Sequence, residues 1–210
     1  MKTCAILGAS GHGKVIAEIA ELNGFNQITF FDDRWPELTS IEHWPVLGDS
    51  RTLLASAAQY DLCVVAIGNN KVRLEKFQRL KEVSATLSVL RHPSAVISQY
   101  AQIHAGTVIM AQAVVNSFCH IDEACIINTS ATVDHDCKLG KGVHVSPGAN
   151  LAGAVEVGEN TWIGVGSQVK QQVSIGRDVV VGAGSTVVKD VLDSKIVVGT
   201  PAHELSIKKD

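Results

Sequence analysis

A six-residue repeat of aliphatic residues runs from Ile97 to Val187 and constrains the fold more than any other feature of the sequence. Steps of six from Ile97 meet Ile, Leu or Val at sixteen consecutive positions, and a mostly small residue stands four positions after each of them. An amphipathic helix would need a period of 3.6 and a half-buried strand a period of 2. Hexapeptide repeats have this period because each is a short strand and a turn that bury their apolar residue by stacking. The stretch therefore predicts a parallel β-helix.

The first ninety residues have the pattern of a nucleotide-binding α/β unit. An apolar run at 3–7 precedes a glycine-rich turn at 8–14, a helical pattern over 15–22, and a second strand over 28–31 that ends in Asp32 and Asp33. In such a unit the glycines let backbone amides approach a phosphate at the helix N-terminus. The spacing is GxxGxG rather than the GxGxxG of dinucleotide enzymes, which disfavours NAD. The Asp pair nevertheless favours a nucleotide ligand over a purely structural turn.

The remainder of this unit predicts a small parallel sheet. Residues 36–60 are expected to form a loop and then a short helix from Thr52, and residues 61–67 a buried strand that ends at Gly68. An amphipathic helix over 71–83 and a short strand at 89–90 follow. The predicted fold class is therefore an α/β, Rossmann-like N-terminal domain over 1–92, followed by a β-helix domain over 93–210. The glycine-rich turn, the Asp pair and Gly68 should gather at one edge of the sheet.

Composition excludes several classes of function. The formal net charge is −3, so the chain lacks the basic footprint of a nucleic-acid-binding protein. The N-terminus lacks a cationic, apolar signal, and no apolar run is long enough to span a membrane, so we expect a cytoplasmic protein with no membrane insertion. The five cysteines have neither metal nor disulfide spacing, and Cys119, Cys125 and Cys137 fall on small inward positions of the repeat. We interpret them as buried, reduced thiols.

His135 is the candidate catalytic residue. It stands two residues after Val133, in a turn, and Gly153 lies eighteen positions on, which is one coil above in a three-sided β-helix. A histidine beside a backbone amide can act as a base next to an oxyanion donor. Asp134 and Asp136 flank His135, and either could orient the imidazole. A solvated turn histidine is the alternative interpretation.

The repeat also contains His144, whose role the pattern does not fix. His144 precedes Val145 and is expected at another corner, where it could face a neighbouring subunit. No two histidines lie eighteen positions apart and no carboxylate set has ligand spacing, so a metal is disfavoured, although ligands assembled across subunits remain possible. After Val187 the repeat fails at Asp193, and a cap over the open end of the β-helix is expected.

These residues together resemble the hexapeptide-repeat, left-handed β-helix acyltransferases. More narrowly they are similar to the bacterial UDP-4-amino-sugar N-acetyltransferases of the UDP-N-acetylbacillosamine type (PglD-like), with the sialic acid O-acetyltransferases (NeuD-like) as relatives. The resemblance covers nearly the whole chain. It is carried by residues 8–13, 31–33, 66–70, 92–95, 128–130, His135, 144–146 and 198–202.

The resemblance implies an acetyl-CoA-dependent transfer to the 4-amino group of a UDP-4-amino-4,6-dideoxy-N-acetylhexosamine, in a homotrimer with active sites between subunits. It makes His135 the general base and gives the next residue, commonly Glu in the family and here Asp136, the task of raising its basicity. It implies contacts with acetyl-CoA for His144, Gly153, Val165 and Ala183. It implies that the N-terminal domain holds the UDP-amino sugar through Ser10, Gly11, His12, Asp32, Asp33 and Gly68.

Three other functions are compatible with parts of the pattern. A sugar O-acetyltransferase of the sialic acid type would use the same base and cofactor on a different acceptor. A metal-dependent hydratase of the γ-carbonic-anhydrase type would share the β-helix, but its scaffold does not require a nucleotide domain. A non-catalytic nucleotide-sugar sensor or assembly scaffold would tolerate the loss of His135.

Overall fold

The computed structural model describes residues 1–205 and divides the chain into two compact units, Met1–Pro93 and Ser94–Asp210. The last five residues of the predicted C-terminal cap, 206–210, lie outside the described residues. Within 1–205, no helix has the length and apolar content needed to cross a membrane. The predicted fold class, a Rossmann-like α/β unit followed by a β-helix of hexapeptide repeats, is confirmed.

The first unit is a three-stranded parallel sheet with helices between its strands. The sheet order is β2-β1-β5, with the first strand in the centre. Its elements are β1 Thr3–Leu7, α1 Gly11–Leu22, β2 Gln27–Phe31, β3 Ser40–Ile41, β4 Trp44–Pro45, α2 Ser50–Ser56, a 3₁₀ turn Ala57–Gln59, β5 Leu62–Val65, α3 Asn70–Glu82 and β6 Leu90–Arg91.

Local sequence explains where α2 and α3 begin. Asp49 accepts a hydrogen bond from the Thr52 amide at 2.8 Å and caps α2. Asn69 caps α3 in the same way, through the Val72 amide at 3.1 Å. The predicted loop over 36–60 also contains the antiparallel pair β3–β4, whose strands of two residues are too short to produce a hydrophobic period.

The second unit contains sixteen strands of two residues between Val96 and Val187, and each ends on the repeated aliphatic position. They are β7 Val96–Ile97, β8 Gln102–Ile103, β9 Val108–Ile109, β10 Val114–Val115, β11 His120–Ile121, β12 Ile126–Ile127, β13 Thr132–Val133, β14 Lys138–Leu139, β15 His144–Val145, β16 Asn150–Leu151, β17 Glu156–Val157, β18 Trp162–Ile163, β19 Gln168–Val169, β20 Ser174–Ile175, β21 Val180–Val181 and β22 Thr186–Val187.

Parallel pairing between residues eighteen apart stacks these strands into three faces. The first face contains β7, β10, β13, β16, β19 and β22, and the second contains β8, β11, β14, β17 and β20. The third contains β9, β12, β15, β18 and β21. For example, Val115 pairs with Val133, which pairs with Leu151. The predicted coil of eighteen residues is therefore confirmed.

The core is built as the repeat predicts. From Ile109 to Val187 every repeated aliphatic residue is buried, and so are the small residues between them, including Cys119, Cys125 and Cys137. Inward hydroxyls are paired: Thr161 Oγ1 donates to the Gly176 carbonyl at 2.7 Å and accepts from the Val179 amide at 3.0 Å. Beyond Val187 the third face continues with β23 Ile196–Val198, on which β24 His203–Glu204 pairs in the antiparallel direction.

The turns of the β-helix share one backbone feature. Every sixth residue from Gly106 to Gly184 has a positive φ, between 55° and 73°. Five of these positions are glycine, and the others include Asp136 with φ 61°. Left-handed backbone suits Gly, Asn and Asp, so this column locates the turn in each repeat.

Candidate active site

The His135–Asp136 pair lies in the turn that follows β13. Asp136 occupies the left-handed position of that turn, and its Oδ2 lies 2.7 Å from His135 Nδ1. Both side chains are more than half exposed. Because an ionised carboxylate only accepts hydrogen bonds, Nδ1 carries the proton and the lone pair of the neutral ring resides on Nε2.

Charge around the imidazole favours its protonated form. The hydrogen bond that His135 donates to Asp136, followed by the charge of Asp134, raises the pKa of His135. Asp134 itself is engaged elsewhere, since its Oδ1 accepts from the His135 backbone amide and from Asn116 Nδ2, each at 2.8 Å. Of the two aspartates that flank the histidine, Asp136 therefore orients the ring and Asp134 stabilises the turn.

Gly153 lies directly above His135, as the eighteen-residue coil predicts. The Ala154 amide donates to the His135 carbonyl at 2.8 Å and joins the two turns. A Cβ built on Gly153 would lie 2.6 Å from both Cε1 and Nε2 of His135, so only glycine leaves room for the ring. The Gly153 N–H has no acceptor within residues 1–205. It is therefore a backbone donor left unpaired in the turn directly above the His135 ring.

The predicted corner position of His144 is wrong. His144 is the first residue of β15, on the outer side of the third face, because the next residue, Val145, points inward. The residue is only 8% exposed, and its ring lies parallel to that of Trp162, its register partner, with centroids 5.8 Å apart. Asn128 Nδ2 lies 3.0 Å from His144 Nε2. Since Asn128 Oδ1 accepts from the Thr129 amide, the Asn128 nitrogen donates to the ring.

Val165 and Ala183 lie on a different edge of the β-helix from His135. Both are exposed residues of turns that follow strands of the third face, and they occupy equivalent positions in successive coils. His135 and Gly153 stand instead on the edge after the first face. One chain therefore presents the predicted cofactor residues in two separate places and does not bring them together.

Four of the six residues that are predicted to bind the nucleotide lie around one cavity. A cavity of about 240 Å³ opens at the carboxyl ends of β1, β2 and β5. Ser10, Asp32, Asp33 and Gly68 line it, together with Leu7, Gly8, Ser50, Ala66 and Ile67.

Gly11 and His12 do not line this cavity and lie in the first turn of α1. Burial, followed by the charge of Arg73, lowers the pKa of His12 to about 4. His12 is therefore neutral near pH 7.

Arg34, Ser50 and Lys76 bind the two carboxylates of this cavity, and the sequence pattern did not reveal these contacts. Arg34 binds both Asp32 carboxylate oxygens, and the Ala9 amide donates to the same group at 2.8 Å. Burial opposes ionisation of Asp32, but these hydrogen bonds outweigh it and lower its pKa. Ser50 and Lys76 hold Asp33 in the same manner, and although burial again opposes ionisation, they lower its pKa to about 2.

Within the described residues, no group of three or more His, Cys, Asp or Glu side chains is placed to hold a metal ion. The described residues thus provide an oriented imidazole, an unpaired backbone amide above it and a polar cavity in the α/β unit.

Family models match both units. The PglD N-terminal domain model matches residues 3–80, and the bacterial transferase hexapeptide (six repeats) model matches residues 154–189. A curated relative, the UDP-N-acetylbacillosamine N-acetyltransferase of Bacillus subtilis (strain 168), is 37% identical over 117 residues. That match covers 53% of this chain and 52% of the relative, so it spans about half the length of the curated protein.

Solved structures match over nearly the whole chain. The acetyltransferase domain of PglB from Neisseria gonorrhoeae FA1090, in complex with acetyl coenzyme A, is 40% identical with a TM-score of 0.93. The match covers 97% of this chain and 99% of that one. PerB from Caulobacter crescentus, in complex with CoA and GDP-perosamine, is 36% identical with a TM-score of 0.92 and 98% coverage of both chains.

Proposed function

This chain belongs to the PglD-like family of hexapeptide-repeat sugar N-acetyltransferases, and we propose that it transfers an acetyl group from acetyl-CoA to the 4-amino group of a nucleotide-linked amino sugar. The observation that carries the proposal is the His135–Asp136 pair with the free Gly153 amide one coil above it. An oriented base and an oxyanion donor on adjacent coils are what acyl transfer to an amine requires.

The proposed reaction is a direct transfer. His135 Nε2 accepts a proton from the 4-amino group as the nitrogen attacks the thioester carbonyl, and Asp136 stabilises the imidazolium that forms. The Gly153 N–H donates to the oxyanion of the tetrahedral intermediate. The C–S bond then breaks, the thiolate receives the proton, and the products are the amide and CoA thiol. No cysteine acts as nucleophile, because Cys119 and Cys137 are buried in the β-helix core.

We further propose a homotrimer in which each active site combines two edges from neighbouring subunits. The support is the separation of the His135 edge from the edge with Val165 and Ala183 within one chain. On this arrangement His135 of one subunit and His144 of its neighbour serve the same site, and Asn128 sets the tautomer of His144. Closed symmetry repeats that junction three times.

Subunit mixing tests this arrangement. A His135→Ala protein and a His144→Ala protein, each inactive alone, are unfolded together and refolded. Shared sites predict a return of about a quarter of the wild-type rate, because random assembly gives that fraction of junctions with both histidines intact. Mixtures that stay inactive, or a native mass that is not a trimer, contradict the arrangement.

The acceptor we propose is a UDP-4-amino-4,6-dideoxy-N-acetylhexosamine, and the support is the curated relative, which is named a UDP-N-acetylbacillosamine N-acetyltransferase. The PerB complex contains a GDP-linked amino sugar instead, so the nucleotide needs a direct test. A cytoplasmic location stays part of the proposal, because acetyl-CoA and nucleotide sugars are cytoplasmic metabolites.

A thiol-release assay with acetyl-CoA tests the reaction. The acceptors are UDP-4-amino-4,6-dideoxy-N-acetylglucosamine, GDP-perosamine and CMP-sialic acid. We expect turnover with the UDP-amino sugar and a loss of about 100-fold or more in His135→Ala. Turnover with CMP-sialic acid alone would assign O-acetylation, and no thiol release with any acceptor would contradict the proposed substrate class.

A further inference from the structure

Lys76 connects three elements at the nucleotide cavity without lining the cavity itself. It stands on α3, and its Nζ donates to Asp33 Oδ2 at 2.9 Å and to Ser50 Oγ at 2.8 Å. Asp33 follows β2, and Ser50 is the first residue of α2. Both of these partners line the cavity, whereas Lys76 is 17% exposed behind them.

The charge at the cavity is balanced by this contact. Asp32 and Asp33 would give the cavity two negative charges, and Arg34 already neutralises the first of them through a paired contact at 2.8 Å. The second carboxylate is bound by Lys76, and its remaining oxygen accepts from the Ser50 amide at 2.8 Å. A diphosphate entering the cavity therefore meets two ion pairs in place of two bare carboxylates.

We propose that Lys76 is a positioning residue for nucleotide binding: it neutralises Asp33 and fixes its carboxylate against Ser50, so that the cavity admits the anionic diphosphate of a nucleotide sugar. This inference rests on the proposed function, since it assumes a nucleotide-sugar substrate. The α1 N-terminus favours an anion at the same edge through its free backbone amides and the helix dipole, and its first turn contains no acidic residue that would offset this. Repulsion from an unpaired Asp33 would oppose that attraction.

Calorimetry with UDP and GDP as probes tests the proposal on the full-length protein. Whichever of the two nucleotides binds the wild type is expected to bind Lys76→Met about tenfold more weakly at low salt. A factor of about ten is the scale expected for one uncompensated unit charge in a partly solvated site. KM for the nucleotide sugar should rise by a similar factor. The loss should shrink in about 0.5 M salt, at which interactions between surface charges are largely screened.

A second substitution separates charge from structure. If Lys76 acts by cancelling Asp33, adding Asp33→Asn to Lys76→Met restores most of the lost affinity, because the uncompensated charge disappears. Uridine, which carries no phosphate, should bind Lys76→Met and wild type alike. Arg79→Met is the matched control. It also removes a cation from α3, but the ion-pair partner of Arg79 is Glu75, which belongs to the same helix.

The outcomes are distinguishable. Equal losses for uridine and UDP, or no recovery in the double variant, would show that Lys76 is structural or binds phosphate itself, and would overturn the inference alone. Unchanged affinity in Lys76→Met would overturn it as well. A wild-type protein that binds neither UDP nor GDP would contradict both this inference and the proposed substrate.

Discussion

Replacing Gly153 with alanine is expected to displace the proposed general base while leaving the backbone in place. The added Cβ would lie 2.6 Å from Cε1 and Nε2 of His135, whereas ordinary contact begins near 3.4 Å. The ring must therefore shift by about 0.8 Å, the difference between these distances. The φ of Gly153 lies outside the left-handed region, so alanine adds no backbone strain there.

The size of the effect follows from that displacement. A misplacement of about 1 Å at a reacting group costs on the order of 100-fold in rate, so kcat/KM of Gly153→Ala should fall by about this factor. The shift also strains the 2.7 Å hydrogen bond between His135 and Asp136, which keeps the basic lone pair on Nε2. The fold should be unchanged, because the three atoms nearest to the new methyl group all belong to the His135 ring.

The assay is thiol release with acetyl-CoA and the nucleotide sugar, alongside thermal unfolding. The matched control is Gly153→Ala in a His135→Ala background, where the colliding ring is absent and the melting temperature should equal that of His135→Ala alone. A Gly153→Ala enzyme with wild-type kcat/KM would refute the placement of His135 as base. A double variant less stable than His135→Ala would show that the methyl group collides with something else.

Three further substitutions test the site and the core. Asp136→Asn should lower the pKa of His135, because the carboxylate raises it, so the acid limb of the pH profile of kcat/KM moves to lower pH while the maximum falls about 100-fold. Thr161→Val should reduce the free energy of unfolding by about 1–3 kcal/mol, since the Gly176 carbonyl and the Val179 amide lose their partner, whereas Thr161→Ser should stay close to wild type in urea denaturation. Leu151→Ala, at 1% exposure between two coils, should cost about 2–5 kcal/mol in the same measurement.

The six-residue period of the sequence was sufficient to predict the part of the site that lies on the β-helix. Positions eighteen apart must stack, so Val133 and Leu151 pair and Gly153 follows above His135. The period could not decide which aspartate orients the ring, because that depends on the left-handed backbone at Asp136, φ 61°. The structure shows that this residue turns its carboxylate back towards its neighbour.

The error at His144 has an identifiable cause. The six-residue period alone does not say which residues of each repeat form the turn, so it leaves open whether His144 lies in a strand or at a corner. The column of left-handed residues contains glycines at 142 and 148, which bracket one repeat and place residues 144–145 between two turns. That glycine pattern is visible in the sequence and was the signal that could have corrected the prediction.

The residues missed at the nucleotide cavity have a different explanation. Lys76 and Asp33 are forty-three positions apart, and Ser50 and Asp33 are seventeen apart. No repeat relates them, since their contacts depend on how α2 and α3 pack beside the ends of the strands. Local patterns identified the carboxylates and could not identify the groups that neutralise them.

The length of a coil decides which groups can share a site on this scaffold. An edge collects only residues eighteen apart, with adjacent coils about 4.8 Å from one another, so His135 has Gly153 above it and never meets Val165, which belongs to another edge. A base on such an edge must obtain its orientation locally. Asp136 provides it because Asp tolerates the left-handed turn position and its carboxylate reaches the preceding ring. The acetyl donor has no such local solution, which is why the proposed trimer supplies the second edge from another copy of the chain.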